Sequence, residues 1–194
     1  MSLPEEAAAV LDFWFGPDPA AYAERGKSRW FVKRVDVDEE IRQRFGALHA
    51  RAAAGELHDW CETPDGCLAL VIVLDQFSRN LFRDSPQAFA ADAKAREIAR
   101  RAIDRGFDLQ LLPLQRGFLY LPFEHSESLD DQQRSLALFN ALRDFSEAAE
   151  MVRYARLHYD VIKRFGRYPH RNAILGREST DEELQFLSRP GSSF

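Results

Sequence analysis

The sequence predicts an all-α protein that forms one domain, residues 1–194, and two observations support this. Helix-favouring residues dominate, because 25 Ala, 22 Leu and 22 Arg stand against 16 Val, Ile and Thr together, the β-branched types that strands favour. Capping residues, prolines and glycines also recur at the positions where helices begin and end. The chain has the length of a single domain, and no linker or low-complexity stretch divides it.

The first two helices are predicted from their boundaries. In a capping box, a side-chain oxygen and an acidic residue three positions later satisfy the free amides of a helix start. Two such boxes occur in the first forty residues: Ser2 with Glu5, and Asp36 with Glu39. We expect the two helices that they begin to end at Gly16 and Gly55, since glycine readily adopts the backbone conformation that closes a helix.

Two further helices begin where a capping residue precedes a proline, at Thr63-Pro64 and Ser85-Pro86. The second is expected to run about 20 residues, to Gly106. The apolar stretch Leu68–Leu74 could by its pattern alone be a buried strand. We interpret it as part of a central helix, because it continues into LDQFSRNLFR, which has helical periodicity.

The C-terminal half carries three more helix signals. Ser128 begins a helix with two aspartates in its first turn, where negative charge suits the helix dipole. A long helix is expected over about 145–166, and Thr180 begins a short last one. Together the signals predict about eight helices joined by short loops.

Composition also bears on function and location. A net charge of -5 disfavours a general nucleic-acid-binding protein. The longest apolar run, eight residues at 67–74, is shorter than the roughly 18 that a membrane span needs. The N-terminal segment is acidic rather than basic, so a cytoplasmic location is expected. Neither the two cysteines nor the histidines have metal-ligand spacing, so we expect no metal site and no cofactor.

Five polar side chains share one face of the predicted central helix. At 100° per residue they span about 140°: Asp75, Gln76, Arg79, Asn80 and Arg83. The first half of this helix has no polar face, so these groups begin inside the protein, where they have to be paired. The arc is therefore the wet face of the helix, a structural network around an Asp75–Arg79 pair, or one wall of a pocket.

Two further candidate groups contain histidine. On a predicted turn between two helices, Glu124, His125, Ser126 and Glu127 place an imidazole beside carboxylates, which is typical of general acid–base chemistry. The alternative is that Glu124 or Ser126 caps the next helix and His125 is an ordinary polar residue at the surface. His158 falls on the apolar face of the long helix, either as a core histidine bonded to a carbonyl or facing the same cavity.

A fourth group of donors follows the long helix: Arg167, His170, Arg171 and Asn172. They could bind a carboxylate or a phosphate, or else cap helix ends and pair with surface acids. Pro169 stiffens the loop that carries them. We expect at least two of the four to turn inward, toward the turn at 124–127.

Segments along almost the whole chain resemble one known family: VLDFWFG, LDQFSRNLFR, LPFEHSES, RFGRYPHRN, AILGREST and PGSSF. They are similar to an uncharacterised bacterial family of all-helical proteins, a domain of unknown function. Two departures are Ser78, where the family has proline, and Tyr168, where phenylalanine is common. The resemblance implies antiparallel helix pairs stacked as in tetratricopeptide-type proteins, with all the candidate residues named above in its motifs. It implies no activity.

Two functional hypotheses remain. In the first, the polar groups line a pocket between helices that binds a small anionic molecule, with His125, Glu124 and His158 as acid–base groups. In the second, the helix stack presents a groove to a protein or peptide partner. A pocket requires the polar groups to converge in one cavity, whereas a groove spreads them along exposed faces. We favour the pocket, because the polar arc begins within a buried helix.

Overall fold

A computed structural model describes residues 3–18, 30 and 32–192, and 72% of these are helical with no strand among them. The α-helices follow in chain order: α1 Glu5–Phe15, α2 Val35–Ala54, α3 Pro64–Val71, α4 Ser78–Leu81, α5 Asp92–Asp104, α6 Pro113–Glu124, α7 Leu129–Asn140, α8 Ala149–Phe165 and α9 Asp181–Leu187. Short 3₁₀ segments join several of them: His58–Glu62, Pro86–Phe89, Asp108–Gln110, Ser146–Ala148 and Pro169–Arg171. The prediction of an all-α fold is confirmed.

The buried centre of the fold is one helical run over 64–81. Between α3 and α4 it widens into a π-helix, Ile72–Phe77, so Leu68–Leu74 is helical as predicted. Every residue from 66 to 78 is buried. Helices α1, α5 and α6 pack against α3, while α2 packs against the π-helix and α4. The central run therefore carries its polar residues into the middle of the protein.

Aromatic side chains fill the space around this central run. Phe13, Trp14, Phe15 and Trp30 are all buried, as expected for core anchors. Trp14 meets Phe77 edge-on, with ring centroids 5.6 Å apart. Such edge-to-face pairs add to the stabilisation that burial of the rings already provides. Residues 29 and 31, which flank Trp30 in the sequence, lie outside the described residues.

Most predicted helix boundaries are confirmed. The hydroxyls of Thr63, Ser85 and Thr180 accept hydrogen bonds from backbone amides at the starts of their helical segments. Gly55 and Gly166 end α2 and α8 in the left-handed conformation, at φ 87° and 70°. A side chain with a Cβ would be strained at either position.

Four boundary predictions need correction or fall outside the structure. Asp36 does not cap α2, which begins one residue earlier; its carboxylate pairs with Arg34 instead. The helix expected from Ser85 to Gly106 is broken, because a 3₁₀ turn ends at Phe89 and α5 begins only at Asp92. The long helix likewise starts as a 3₁₀ turn at 146–148. Ser2 lies outside the described residues.

The C-terminal helices stack in sequence order. Helix α5 packs on α6, α6 on α7 and α7 on α8, so stacking of neighbouring helices is confirmed. The tetratricopeptide-type arrangement stays a prediction. Within the described part of the chain, no helix combines the length and the apolar character that crossing a membrane requires.

Candidate functional site

A cavity of about 570 Å³ opens beside the π-helix and α4, the end of α6, α8 and the loop after it. Nine of the fourteen predicted site residues line it: Gln76, Arg79, Asn80, Arg83, Glu124, His125, His158, His170 and Arg171. Its volume is in the range of small-molecule sites. Residues from all four predicted groups thus converge on one cavity.

Asp75 lies directly behind His125 in the wall of this cavity. Asp75 is fully buried in the π-helix, and its Oδ1 lies 2.7 Å from His125 Nδ1. Gln76 also donates a hydrogen bond to the carboxylate, at 2.7 Å. Burial opposes its ionisation, but the charge of Arg79 and these hydrogen bonds outweigh burial and lower the pKa of Asp75. Asp75 is therefore an ionised acceptor that fixes one edge of the imidazole.

The state of His125 follows from that hydrogen bond. Burial, together with the charge of Arg79, lowers the pKa of His125 more than Asp75 raises it. The ring is therefore neutral at pH 7, and its single proton is on Nδ1, because a carboxylate can only accept. No hydrogen bond reaches Nε2 from the described residues. The basic lone pair of His125 is thus free on a ring that lines the cavity.

Arg79 and Arg83 are each held by a carboxylate. Arg79 lies 3.3 Å from Asp75 and donates two hydrogen bonds to Asp92, at 3.0 and 3.1 Å. Arg83 donates two to Asp38, at 2.5 and 2.8 Å. The prediction that Arg83 lies on the helix face was wrong, since α4 ends at Leu81 and the chain turns toward the next proline-led segment. Its side chain nevertheless reaches the cavity.

Glu124 and His158 form a second buried pair at the cavity. Glu124 is the last residue of α6, so the predicted turn begins only at His125. His158 Nδ1 lies 2.9 Å from the carbonyl of Tyr154, which can only accept, and 3.1 Å from Glu124 Oε1. Both predicted alternatives for His158 therefore hold, because it bonds a carbonyl and also lines the cavity. Burial lowers the pKa of His158 to about 3.

Glu124 is unusual because no Lys or Arg of the described residues pairs with its carboxyl group. Only 2% of the residue is exposed, and Oε2 has no hydrogen-bond partner among the described residues. Burial, and then the charge of Asp75, raise the pKa of Glu124 well above its ordinary value. The carboxyl therefore keeps its proton at neutral pH.

Arg171 is a buried arginine without an ion pair among the described residues. Its guanidinium lies between the rings of Phe89 and Tyr168, at 4.6 and 4.4 Å from their centroids. It donates to the carbonyl of His125 at 3.0 Å, while its buried Nε has no partner and no described carboxylate forms an ion pair with it. Burial, and then the charge of Arg79, lower the pKa of Arg171 to about 10, so it remains a cation at pH 7.

Besides Asp75, which lies behind His125, four predicted site residues do not line the cavity. Ser126 donates to Asp131 at 2.7 Å and accepts from the amide of Ser128, but the N-cap of α7 is Ser128 and that helix has no side-chain cap, so the capping alternative for Ser126 was wrong. Glu127 accepts from the amide of Tyr168. The remaining two bind Glu183 of α9: Arg167 at 2.7 Å and Asn172 at 3.3 Å. These contacts fasten the C-terminal segment. The sequence pattern did not connect these residues to their partners.

Two of the four C-terminal donors, Arg171 and His170, line the cavity. The expectation that they pair with the carboxylates of the turn at 124–127 or share its ligand stays a prediction. Arg171 reaches the turn at 124–127 through a backbone carbonyl and not through a carboxylate. The cation that pairs with Glu127 is Arg177, at 2.7 and 2.9 Å. Arg177 was missed, although it lies in the AILGREST segment that contributed to the family resemblance.

A model of bacterial proteins of unknown function (DUF924) matches residues 10–191.

The chain belongs to this family.

A solved structure with the same fold is that of a protein of unknown function, ATU0120 from Agrobacterium tumefaciens. It shares 40% sequence identity at a TM-score of 0.84, over 94% of this chain and 96% of that one. No curated protein matches the sequence. The family resemblance is therefore confirmed, and DUF924 membership brings no assigned activity with it.

The cavity of this DUF924 protein combines three chemical groups: a neutral histidine with a free lone pair, a neutral carboxyl and an unpaired guanidinium. The described residues that line it include no Ser, Thr or Cys that could act as a nucleophile. No cluster of three or more His, Cys, Asp or Glu side chains within the described ranges has the arrangement of a metal site. Its own side chains can bind an anion and move a proton.

Proposed function

We propose that the cavity binds a small anionic molecule and that His125, oriented by Asp75, acts on it as a general base. The observation that carries this is the position of an unpaired, buried Arg171 in the same wall as the Asp75–His125 pair. Buried charges in proteins are almost always paired. A buried arginine without an ion pair is therefore well matched by a ligand that brings a negative charge into direct contact with it.

Charge within the cavity supports an anion further. Arg79 and Arg83 each form an ion pair with at least one carboxylate, whereas Arg171 forms none among the described residues, so Arg171 is the arginine of the lining that a ligand carboxylate or phosphate can pair with directly. Burial, and then the charge of Arg171, lower the pKa of His170 to about 4, so this ring adds no charge. One guanidinium without an ion pair suits a ligand that carries a single carboxylate or phosphate group.

The Asp75–His125 pair supports a chemical role beyond binding. A carboxylate that receives the Nδ1 proton fixes the tautomer and turns the basic Nε2 away from itself. A general base needs an unprotonated nitrogen in reach of the ligand. His125 meets the first requirement at neutral pH and lines the cavity, which provides the second.

Polar side chains from separate parts of the chain converge on one cavity. This favours the proposal over an interaction groove, in which the polar side chains would lie along exposed helix faces. A cytoplasmic location is part of the proposal, because the two cysteines are free thiols, as is usual in a reducing compartment.

Arg171→Gln is expected to weaken anion binding about tenfold or more, because a charge-assisted hydrogen bond contributes about 1.5–3 kcal/mol. The measurement is the melting temperature of wild type and variant in rising concentrations of inorganic phosphate or butyrate, against sodium chloride at equal ionic strength. Wild type should be stabilised by at least one of the two anions, since a ligand that binds the folded state raises the melting temperature.

Arg101→Gln is the matched control, because it removes an arginine whose side chain is 73% exposed on α5. It should leave anion stabilisation unchanged. If neither anion stabilises wild type beyond the chloride control, or if both variants respond equally, the proposal is wrong.

A further inference from the structure

Three groups that border one another in the cavity carry a pattern of donors and acceptors more specific than charge alone. Arg171 donates to the carbonyl of His125 at 3.0 Å, so its guanidinium borders that residue. Glu124 precedes His125 in the chain. The His158 ring contacts the Glu124 carboxyl at 3.1 Å, and its centroid is 6.4 Å from that of His125. A molecule of a few carbons can therefore reach all three.

Each of the three offers a different interaction. Arg171 offers a charged donor, and His125 Nε2 offers an acceptor, because the ring proton is on the side that faces Asp75. Glu124 Oε1 lies 3.1 Å from His158 Nδ1, whose hydrogen bond goes to the carbonyl of Tyr154. The other carboxyl oxygen, Oε2, is buried in the cavity wall with no partner among the described residues.

Glu124 Oε2 is best understood as a donor. No arginine or lysine of the described residues forms an ion pair with this carboxyl, and a buried carboxylate without a cation is costly. Burial and the nearby charge of Asp75 raise its pKa accordingly, so the group is a carboxylic acid with one O–H. A buried O–H that lacks an acceptor is itself destabilising, unless a ligand or a water accepts from it.

A hydroxyl group satisfies both remaining requirements at once, because its proton can be donated to His125 while its oxygen accepts from Glu124. We infer that the ligand is a small hydroxycarboxylic acid, bound by its carboxylate to Arg171 and by its hydroxyl between His125 Nε2 and Glu124 Oε2. This inference rests on the proposed function and names its ligand class. It also gives Glu124 a direct role in binding.

The rest of the lining suits the carbon skeleton of such an acid. Apolar side chains face the cavity beside the polar groups: Phe89, Leu121, Met151 and Ile174. Other polar and charged side chains also line the cavity, including Lys33, Gln76 and Glu150. A short monocarboxylate with one hydroxyl needs only the three polar groups named above and places its carbons against the apolar side chains. A dicarboxylate would bring a second charge that no unpaired cation of the described lining balances.

Matched pairs of acids test the inference, because each pair differs by one hydroxyl group and has the same charge. Isothermal titration calorimetry would compare 3-hydroxybutyrate with butyrate and lactate with propionate. For the wild-type protein we expect at least one hydroxy acid to bind about tenfold more tightly than its partner, the effect of one well-made hydrogen bond at a buried site. Succinate should bind no better than butyrate.

Two variants locate the effect at Glu124. Glu124→Gln keeps a donor at this position through its amide, so it should retain most of the preference for the hydroxy acid. Glu124→Leu has no donor and should bind each hydroxy acid and its partner alike, while still binding butyrate through Arg171. Circular dichroism of both variants shows whether they are folded.

The outcomes separate the two proposals. If butyrate and 3-hydroxybutyrate bind wild type equally and Arg171→Gln weakens both, the anion site stands and the hydroxycarboxylate inference is wrong. A preference that persists in Glu124→Leu also overturns the inference. If none of the acids binds, the inference fails, and phosphate binding alone decides the proposed function.

Discussion

Replacing Asp75 with alanine is expected to lower the free energy of unfolding by about 3–5 kcal/mol, the usual result of removing one partner from a buried ion pair. The carboxylate is fully buried and accepts from His125 and Gln76 while it faces Arg79. Without it, these donors would remain inside the protein with fewer acceptors. Urea denaturation of wild type and Asp75→Ala measures the difference directly.

Asp104→Ala is the control, because Asp104 pairs with Arg134 at the surface and its side chain is 62% exposed. Its loss should change stability by less than about 1 kcal/mol. Asp75→Asn keeps an acceptor oxygen without the charge and should fall between the two. Equal losses for the two alanine variants would show that Asp75 is not a buried counter-ion.

Glu124→Gln is expected to stabilise the protein at neutral pH, by an amount that grows as the pH rises. The folded state raises the pKa of Glu124, so the wild-type carboxyl keeps its proton there, whereas the unfolded chain releases it above about pH 4.3. Stability is therefore greatest below the unfolded pKa and is lost as the pH rises toward the folded one. Gln does not ionise and escapes this loss.

The expected gain is larger at pH 7 than at pH 5. Urea denaturation of both proteins at pH 5, 7 and 8 measures it, and Glu147→Gln, at an exposed position, is the control for the removal of a carboxyl group. A gain that is constant across this range, or a loss that increases with pH, would contradict a protonated Glu124. It would also show that the folded state stabilises the carboxylate.

Helix type and most helix ends could be predicted from the sequence because their causes are local. A proline after Thr63 or a glycine after Phe165 acts on its own turn, whatever packs against it. The break before Asp92 could not be predicted, since Asp92 leaves the preceding turn and pairs with Arg79, thirteen positions earlier. That contact depends on tertiary structure, which a local pattern does not contain.

The candidate site was predictable in part for a similar reason. The polar face of the central helix indicated a buried network, and the motifs drew attention to His125 and Arg171. Asp38 was missed because its position in the first turn of α2 suggests only a favourable charge near a helix start. In the structure it binds Arg83 across 45 positions of sequence. The same holds for Glu183, which binds Arg167 from α9.

Nitrogen NMR of the histidine side chains tests most directly whether the polar groups form one anion pocket. Three histidines line the cavity: His125, His158 and His170. Two others are internal controls, because His49 bonds Ser78 on another side of the central helix and the His58 side chain is 81% exposed. We predict that free His125 is the neutral tautomer with its proton on Nδ1. Addition of butyrate or inorganic phosphate should shift the signals of the three cavity histidines and leave those of His49 and His58 in place. Shifts confined to His58, equal shifts in all five, or a His125 protonated on both nitrogens at pH 7 would contradict the account.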